Sequence, residues 1–248
     1  MPQFIGDEQI ANRLLLAFPS PVLKQLLPYL KHVDFQRGHI VYRPGDLVRD
    51  VYFINRGLLS LVKTMRDGHT VEVSTRGIEG VTAPGVLFDL ETAILECVVQ
   101  IPASAFSIRA NILRSAMATG PKLHALLLGY VHIAGDQLAQ TAACNRLHSL
   151  RERYCRWLLI AHDSSRSDTF PLTQEFLAAM LGVQRPGVSI TAGVLQRAGL
   201  IRRARGSITI IDRAGLEASA CECYRVVQDQ FDKLFARRAD KPVPRSQR

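Results

Sequence analysis

The 248-residue sequence lacks several features that define common classes of protein. It has no apolar run long enough to span a bilayer and no signal-peptide pattern at its start, so we expect a cytoplasmic protein with no membrane partner. It also lacks the H-E-x-x-H, G-x-S-x-G, Walker and Rossmann motifs, and its seven histidines are scattered. We therefore predict that the chain is not an enzyme.

Cysteine is scarce as well. The five cysteines are odd in number and irregularly spaced, which argues against a disulfide framework and fits a reducing compartment. Cys144 and His148 lie four residues apart on one predicted helical face, where we favour simple packing over metal or thiol chemistry. Cys221 and Cys223 fall on a helix predicted over residues 214–236, where positions i and i+2 diverge by roughly 200°. That geometry suits neither a shared metal ion nor a disulfide, so we expect no metal site.

The formal net charge is +9, and it is unevenly distributed along the chain. Residues 1–150 contain 14 Lys and Arg against 12 Asp and Glu, whereas residues 151–248 contain 17 against 10. A basic C-terminal half beside a near-neutral N-terminal half predicts a polyanionic partner for the former. An anionic membrane surface is the alternative, but no basic amphipathic helix or lipidation signal is evident.

Residues 172–200 have the pattern of two helices joined by a tight turn. Thr173 can cap the first helix, and Gly182 supplies the break that the turn needs. Each helix has one apolar face, formed by Phe176, Leu177, Met180 and Leu181 in the first and by Val188, Ala192, Val194 and Leu195 in the second. This is the pattern of a helix-turn-helix, which leaves one side of its second helix free for the DNA major groove.

A basic hairpin, or wing, is predicted directly after these helices. Arg202, Arg203 and Arg205 precede a Gly206-Ser207 turn and the β-branched run 208–211. Arginines on a wing can bind phosphates and so position a protein on DNA without reading its sequence. A solvated charged surface is the alternative, but beside the helix pair we favour double-stranded DNA as the partner.

The first half of the chain predicts a β-structure. Short strands separated by turns containing Gly occupy residues 32–75, and residues 97–101 add another strand. We expect an α+β fold with an N-terminal antiparallel, jelly-roll-like β-barrel and flanking helices. The predicted divisions are a barrel over 1–120, a long helix and hinge over 121–148, a winged helix-turn-helix with a C-terminal helix over 149–236, and a disordered tail over 237–248.

The long helix begins at Pro121 and ends before a capping box that runs from Ser149 to Glu152. Its seam follows alternating steps of four and three residues, the spacing of a two-stranded coiled coil: Leu123, Leu127, Tyr130, Ala134, Gln137, Thr141 and Cys144. A single seam with no internal partner favours a homodimer. Packing of the same residues on the chain's own barrel is the alternative.

Barrel, long helix and winged helix-turn-helix in this order resemble the Crp/Fnr family of bacterial transcription regulators. The resemblance covers roughly residues 20–212 and is strongest in the helix-turn-helix and in residues 40–61, I-V-Y-R-P-G-D-L-V-R-D-V-Y-F-I-N-R-G-L-L-S-L. It implies a cyclic-nucleotide-binding-like barrel that senses a signal, a homodimer, and sequence-specific binding to a palindromic DNA site. RNA polymerase is a further partner that the resemblance allows, although no residue pattern identifies a contact surface.

The recognition helix of this family often carries R-E-x-x-x-R, and the corresponding positions here are Arg185, Pro186 and Ile190. An arginine at the start of that helix can bond guanine O6 and N7 together. Pro186 cannot accept a hydrogen bond from cytosine as Glu does, so a different half-site is expected. The predicted DNA-binding residues are Thr173, Gln174, Gln184, Arg185, Ser189, Arg202, Arg203 and Arg205.

Cyclic-nucleotide binders of the family carry a Gly-Glu pair and a following Arg that holds the cyclic phosphate. Between Arg76 and Arg109 this chain has no Lys or Arg, so Glu79 lacks the expected partner. Because a buried anion without a positive partner is very costly, we expect neither cyclic AMP nor cyclic GMP to bind.

Other cofactors are equally unsupported. The oxygen-sensing branch of the family binds an iron–sulfur cluster through N-terminal cysteines, whereas no cysteine here precedes Cys97. Nothing in the spacing of His39, His69 and Cys97 favours haem. We predict no cofactor, and the cofactor-binding residues and the effector are left open.

The hypothesis that follows is a homodimeric transcription regulator of the Crp/Fnr type, in which a signal at the barrel shifts a hinge near Arg146–Ser149. Two alternatives stay open. One is a redox-responsive regulator that acts through Cys144, Cys155 or the Cys221 and Cys223 pair. The other is a small-molecule binding module whose winged helix contacts protein instead of DNA.

Overall fold

The computed structural model describes residues 3–236, so the predicted disordered tail over 237–248 lies outside the described residues. The strands are β1 (Phe4–Ile5), β2 (Glu8–Gln9), β3 (Lys31–Phe35), β4 (Ile40–Tyr42), β5 (Asp50–Thr64), β6 (Thr70–Arg76), β7 (Glu96–Arg109), β8 (Thr169–Pro171), β9 (Ile201–Ala204) and β10 (Ser207–Ile210). The α-helices are α1 (Arg13–Leu16), α2 (Ser20–Leu26), α3 (Ala110–Thr119), α4 (Pro121–Leu147), α5 (Leu150–Ser165), α6 (Gln174–Leu181), α7 (Arg185–Arg197), α8 (Arg213–Ser219) and α9 (Cys223–Ala236).

The N-terminal half is an antiparallel sheet, which we call the sensor barrel (β3–β7). Its strand order is β3-β7-β5-β6, with β4 also paired to β7. The pairing of β5 with β7 shifts register around Arg56 and Leu58, and such bulges bend the two long strands. Gly57 sits at this bend with φ of +88°, and a Cβ there would collide with the Pro102 carbonyl.

The core of the sensor barrel is continuous with the helices that cover it. Phe18 from the N-terminal segment meets Phe53 of β5 edge-to-face with ring centroids 5.6 Å apart. Buried residues of α3, α4 and α9 belong to the same apolar cluster. Burial of aromatic and branched side chains at this density is the main stabilising term for the barrel.

Helix α4 packs with its predicted seam against its own chain. Leu123, Leu127 and Tyr130 are fully buried in the barrel cluster. The Tyr130 hydroxyl donates to the Val81 carbonyl and accepts from the Val81 amide, both at 3.0 Å. Gln137 accepts from Arg76 at 3.2 Å. Ala134, Gln137 and Cys144 are buried as well, and Thr141 is half-buried. This burial within one chain favours the alternative, packing of the seam on the chain's own barrel, over the predicted dimer interface.

The spacing of apolar residues in α4 could not show whether its seam packs on the chain's own barrel or on a second copy. A helix that packs on a sheet and a helix that packs on a second copy both need apolar residues at steps of three and four. The opposite face of α4 stays exposed, and it carries Ala125, Leu128, Gly135, Leu138, Ala139 and Ala142.

A sharp joint separates α4 from the second half. His148 ends α4 in an extended conformation, and Ser149 begins α5 with the predicted capping box, because Ser149 and Glu152 each accept from the other's backbone amide. We call α5–α8 with β8–β10 the reader domain. Its core includes Trp157 from α5, and its sheet has the order β8-β10-β9. The three-residue strand β8 adds to the predicted hairpin.

The C-terminal helix expected over residues 214–236 is two helices, so that expectation is wrong. Asp212 caps α8 by accepting from the Gly215 amide at 2.9 Å. The chain then breaks at residues 220–222 before α9 begins at Cys223. Helix α9 folds back onto α4, where the Phe231 and Tyr130 rings lie 6.2 Å apart.

Candidate nucleic-acid interface

Helices α6 and α7 form the predicted helix-turn-helix. Thr173 caps α6, because its Oγ1 accepts from the Phe176 amide at 3.3 Å. Gly182 ends α6 in the left-handed conformation with φ of +62°. Arg185 is the first residue of α7, and Pro186 lies in the first turn, where its missing amide hydrogen has no consequence. The buried face of α7 is formed by Val188, Ala192 and Leu195.

The structure brings most of the predicted DNA-binding residues around one open cleft. This basic cleft lies between the start of α6, the start of α7 and the wing, and it is lined by Thr173, Gln174, Arg185, Arg203 and Arg205. Three guanidinium groups and a helix N-terminus thus share one surface. Such a surface attracts phosphate because both the side-chain charges and the helix dipole are positive there. Glu175 is the one acidic residue among the described residues that line it.

Three predicted residues lie outside this cleft or have other partners. Gln184 is exposed at the N-cap of α7. Arg202 is exposed but alternates to the other side of β9 from Arg203. Ser189 is half-buried and donates its hydroxyl hydrogen to Gln174. The Ser189 and Gln174 pair therefore links α7 to α6.

Ile190 is an exposed residue that is not among the predicted DNA-binding residues, and it stands where the family pattern has an arginine. It is 69% exposed on α7, one turn after Pro186. An exposed β-branched residue on a recognition helix has few uses in water, whereas apolar side chains read the thymine methyl group in the major groove. The signal that could have identified it is an isolated isoleucine on the polar face of an amphipathic helix.

The reader domain rests on the sensor barrel through α6. Arg37 donates to Thr173 Oγ1 at 3.5 Å, and its guanidinium lies over the Phe176 ring, 5.8 Å from the centroid. Gln100 of β7 donates to the Met180 sulfur at 3.6 Å. A residue of the barrel therefore contacts the helix cap that also lines the basic cleft.

A buried carboxyl group lies at the centre of this contact. Glu72 of β6 accepts from the Trp157 indole at 3.1 Å and from the Ser60 hydroxyl. Burial raises its pKa to about 7, although both hydrogen bonds and the Arg156 charge lower it. The carboxyl thus titrates near neutral pH, at the point where α5 meets the barrel.

The arginines near the segment that corresponds to the family's phosphate-binding cassette are bonded to protein groups. Arg114 of α3 donates to Asp89 at 2.6 Å and to Glu91 at 3.1 Å. Arg76 is buried, and its Nη1 donates to Ser74 and to Gln137. Both guanidinium groups therefore bind protein partners around this segment.

Within residues 3–236, no helix combines the length and the apolar character needed to cross a membrane.

Comparison with known domains identifies both halves of the chain. A model described as the Crp-like helix-turn-helix domain matches residues 152–219, and one described as the cyclic nucleotide-binding domain matches residues 32–119. Together they span more than half of the sequence. The chain belongs to the Crp/Fnr family of transcription regulators. Comparison with curated protein sequences gives no significant match.

Solved structures of Crp/Fnr regulators share this fold. FixK2 from Bradyrhizobium japonicum is 16% identical, with 77% of this chain and 98% of that chain covered and a TM-score of 0.63. A CRP-family transcriptional regulator from Thermus thermophilus is 21% identical over 76% of this chain and 96% of that chain, also with a TM-score of 0.63. CLP from Xanthomonas campestris, a c-di-GMP responsive global regulator, is 14% identical over 78% of this chain and 100% of that chain, with a TM-score of 0.62. At these identities the likeness concerns the fold alone.

Proposed function

We propose that this Crp/Fnr regulator binds a two-fold symmetric DNA site as a homodimer and reads it through α7. The observation that carries the proposal is the basic cleft, which groups Arg185 with Arg203 and Arg205 beside the capped start of α6. Arginine at the start of a recognition helix is suited to guanine, and the wing arginines are suited to phosphates.

The roles proposed within the cleft differ from residue to residue. Arg185 reads a base, and Ile190 contacts a thymine methyl group near it. Arg205 and Thr173 bind phosphates, whereas Arg203 is partly occupied because its Nε donates to Gln196 at 3.3 Å. DNA binding also requires that α7 stay accessible, and Arg185, Pro186 and Ile190 are all exposed.

The dimer interface that we propose is the exposed face of α4. Leu128 is 46% exposed and Leu138 is 37% exposed, and the same side of α4 carries the small residues Gly135, Ala139 and Ala142 together with the exposed His132. Small residues between leucines let two helices approach closely, and a second copy is a suitable partner because one stripe can pair with itself about a two-fold axis.

The effector that we propose is neither cyclic AMP nor cyclic GMP. Residues 77–108 contain no Lys or Arg. Arg114 is held by two carboxylates, and the Arg76 guanidinium is bonded to protein groups. Isothermal titration with each nucleotide tests this point. We expect no heat of binding at micromolar concentrations, and a micromolar Kd for either nucleotide would contradict it.

Substitution of Arg185 tests the reading role directly. The wild type selects a duplex from a random DNA pool, and the affinity of each variant for that duplex is then measured. We expect Arg185→Ala to lose about 1–3 kcal/mol, roughly 5- to 150-fold in Kd, and to relax the choice at one base. Arg205→Ala should weaken all sequences alike and reduce the salt dependence by about one ion.

Lys24→Ala is the matched control, because it removes one exposed positive charge from α2 of the barrel half. We expect its DNA affinity to equal that of the wild type. Equal affinities of Arg185→Ala and Lys24→Ala would contradict the proposed role and favour a winged helix that contacts protein.

A further inference from the structure

Four potential metal ligands meet at the end of α4. Cys144, His148, Cys221 and Cys223 each offer one ligand atom, and all four atoms lie within 4.8 Å of one another. The Cys144 and Cys221 sulfurs are 3.5 Å apart, and the Cys223 sulfur is 3.5 Å from His148 Nδ1. The three cysteines are buried and form a cluster separate from both apolar cores.

Two features of the chain produce this convergence. Cys144 and His148 are one turn apart at the end of α4, so they share a face. Cys221 and Cys223 would diverge on a continuous helix, but the break between α8 and α9 leaves Cys221 outside both helices and places Cys223 at the start of α9. The expectation for this C-x-C pair assumed one continuous helix, and that premise is wrong.

The size of the cluster fits a single zinc ion. With Zn–S bonds of about 2.3 Å and Zn–N bonds of about 2.0–2.1 Å, neighbouring ligand atoms of a tetrahedron are about 3.5–3.8 Å apart. The two contacts of 3.5 Å lie at this separation before any metal is added. We propose that Cys144, His148, Cys221 and Cys223 form a closed tetrahedral Cys3His zinc site.

The groups around the four ligands support the same assignment. His148 turns Nδ1 toward the cluster, and its Nε2 lies 3.2 Å from a Glu222 carboxylate oxygen, an arrangement that orients zinc-binding histidines. Gln140 donates to the Cys223 sulfur at 2.9 Å.

The protons released and the net charge of the loaded site follow from the four ligands. Three thiols lose three protons and the neutral imidazole loses none, so the loaded site carries a net charge of −1. The Arg156 guanidinium lies beside Cys144 and partly compensates this charge. Four protein ligands leave no open position for water, so the site is structural and not catalytic.

The location of the site determines what it does. Two ligands belong to the end of α4, directly before the joint at Ser149, and two belong to the α8–α9 connection beyond the reader domain. One ion therefore ties the end of the reader domain to the helix that precedes it. Zinc restricts the swing of the reader domain about the joint, and its loss loosens that joint.

Metal analysis of the full-length chain, purified under reducing conditions, tests the proposal. We expect one zinc per chain in the wild type and its loss in Cys144→Ser and Cys223→Ser. Cys155→Ser is the control, because Cys155 is a buried cysteine of α5 outside the cluster. It should retain the zinc. Glu222→Gln should retain the fold and weaken zinc binding about 10- to 100-fold.

A cobalt titration keeps the test independent of how well the variants fold. After chelation of zinc from the wild type, Co²⁺ should give the absorption of a tetrahedral thiolate site at one ion per chain, and zinc should displace it. A folded, reduced wild-type chain that takes up neither ion would overturn the proposal. So would stoichiometric iron with iron–sulfur absorption, or equal loss of zinc in Cys155→Ser.

Discussion

At the scale of single residues, Glu72 shows how one buried carboxyl links stability to pH. Its pKa is raised from the usual 4.5 to about 7, because burial disfavours the charged form more than Ser60, Trp157 and Arg156 favour it. A raised carboxyl pKa means that the folded chain binds more protons than the unfolded chain. The free energy of unfolding therefore falls as pH rises from about 4.5 to about 7, and the penalty is complete above that range.

We predict that Glu72→Gln removes this fall. The amide keeps the size of the side chain and a partner for Trp157, but it does not ionise. A shift from 4.5 to about 7 corresponds to about 3 kcal/mol as an upper figure. Thermal unfolding between pH 5 and 8 measures it, and Glu8→Gln, which alters an exposed carboxylate, should keep the wild-type slope. Identical pH profiles for Glu72→Gln and the wild type would show that Glu72 has no such role.

Gly57 is a second residue whose substitution has a predictable cost in stability. Its φ of +88° disfavours any Cβ, and the added carbon would also collide with Pro102. Gly45 has φ of +93° with nothing within 4 Å, so Gly45→Ala carries the backbone cost alone. We predict that both variants lose stability, by about 1–2 kcal/mol for the backbone term, and that Gly57→Ala loses clearly more. Denaturant unfolding measures the difference, and equal losses would contradict the predicted collision.

At the scale of elements, α4 has one buried face and one exposed face that carries leucines. The buried face packs against the barrel, where Tyr130 hydrogen-bonds to Val81, and against α9, where the Tyr130 and Phe231 rings are neighbours. The exposed face carries Leu128 and Leu138 and has no partner within the described residues. A charge placed there should disturb assembly without disturbing the core.

We predict that Leu138→Glu makes the chain monomeric, because two like charges would face each other across a two-fold axis. Light scattering with size-exclusion chromatography measures the mass. Leu90→Glu is the control, since Leu90 is 68% exposed on the barrel half and lies away from α4 in sequence. A dimeric Leu138→Glu variant with wild-type stability would place the interface elsewhere.

Helix ends that are determined by nearby side chains are predictable from the sequence. Thr173, Gly182 and the capping box at Ser149 act within three or four residues of themselves, so their patterns predicted the real helix ends. The partner of the α4 seam could not be predicted in this way. The spacing of apolar residues shows that one face is buried but does not show which surface covers it. The break at residues 220–222 contains neither Gly nor Pro, so no local signal marked it. Cys144 and Cys221 are 77 positions apart in the sequence, and they meet only because of this break. Their contact therefore could not be predicted either.

At the scale of the whole molecule, two attachments of the reader domain bear on the basic cleft. One is the joint between His148 and Ser149, beside the proposed zinc site. The other is the docking of α6 and α5 on the barrel, through Arg37 and Glu72. A signal at the barrel can thus reach the basic cleft through Thr173 without passing along α4. The regulation that we propose is a change in either attachment that would shift the orientation of α7, and so the population that can bind DNA.

The motif that the protein selects from a random DNA pool shows whether two copies of α7 read one symmetric site. The purified wild type is used with and without cyclic AMP. We predict one two-fold symmetric motif, unchanged by the nucleotide, with half-sites about 10 base pairs apart, the spacing of successive major grooves. An asymmetric motif, a motif that forms only with cyclic AMP, or no enrichment at all would contradict the account.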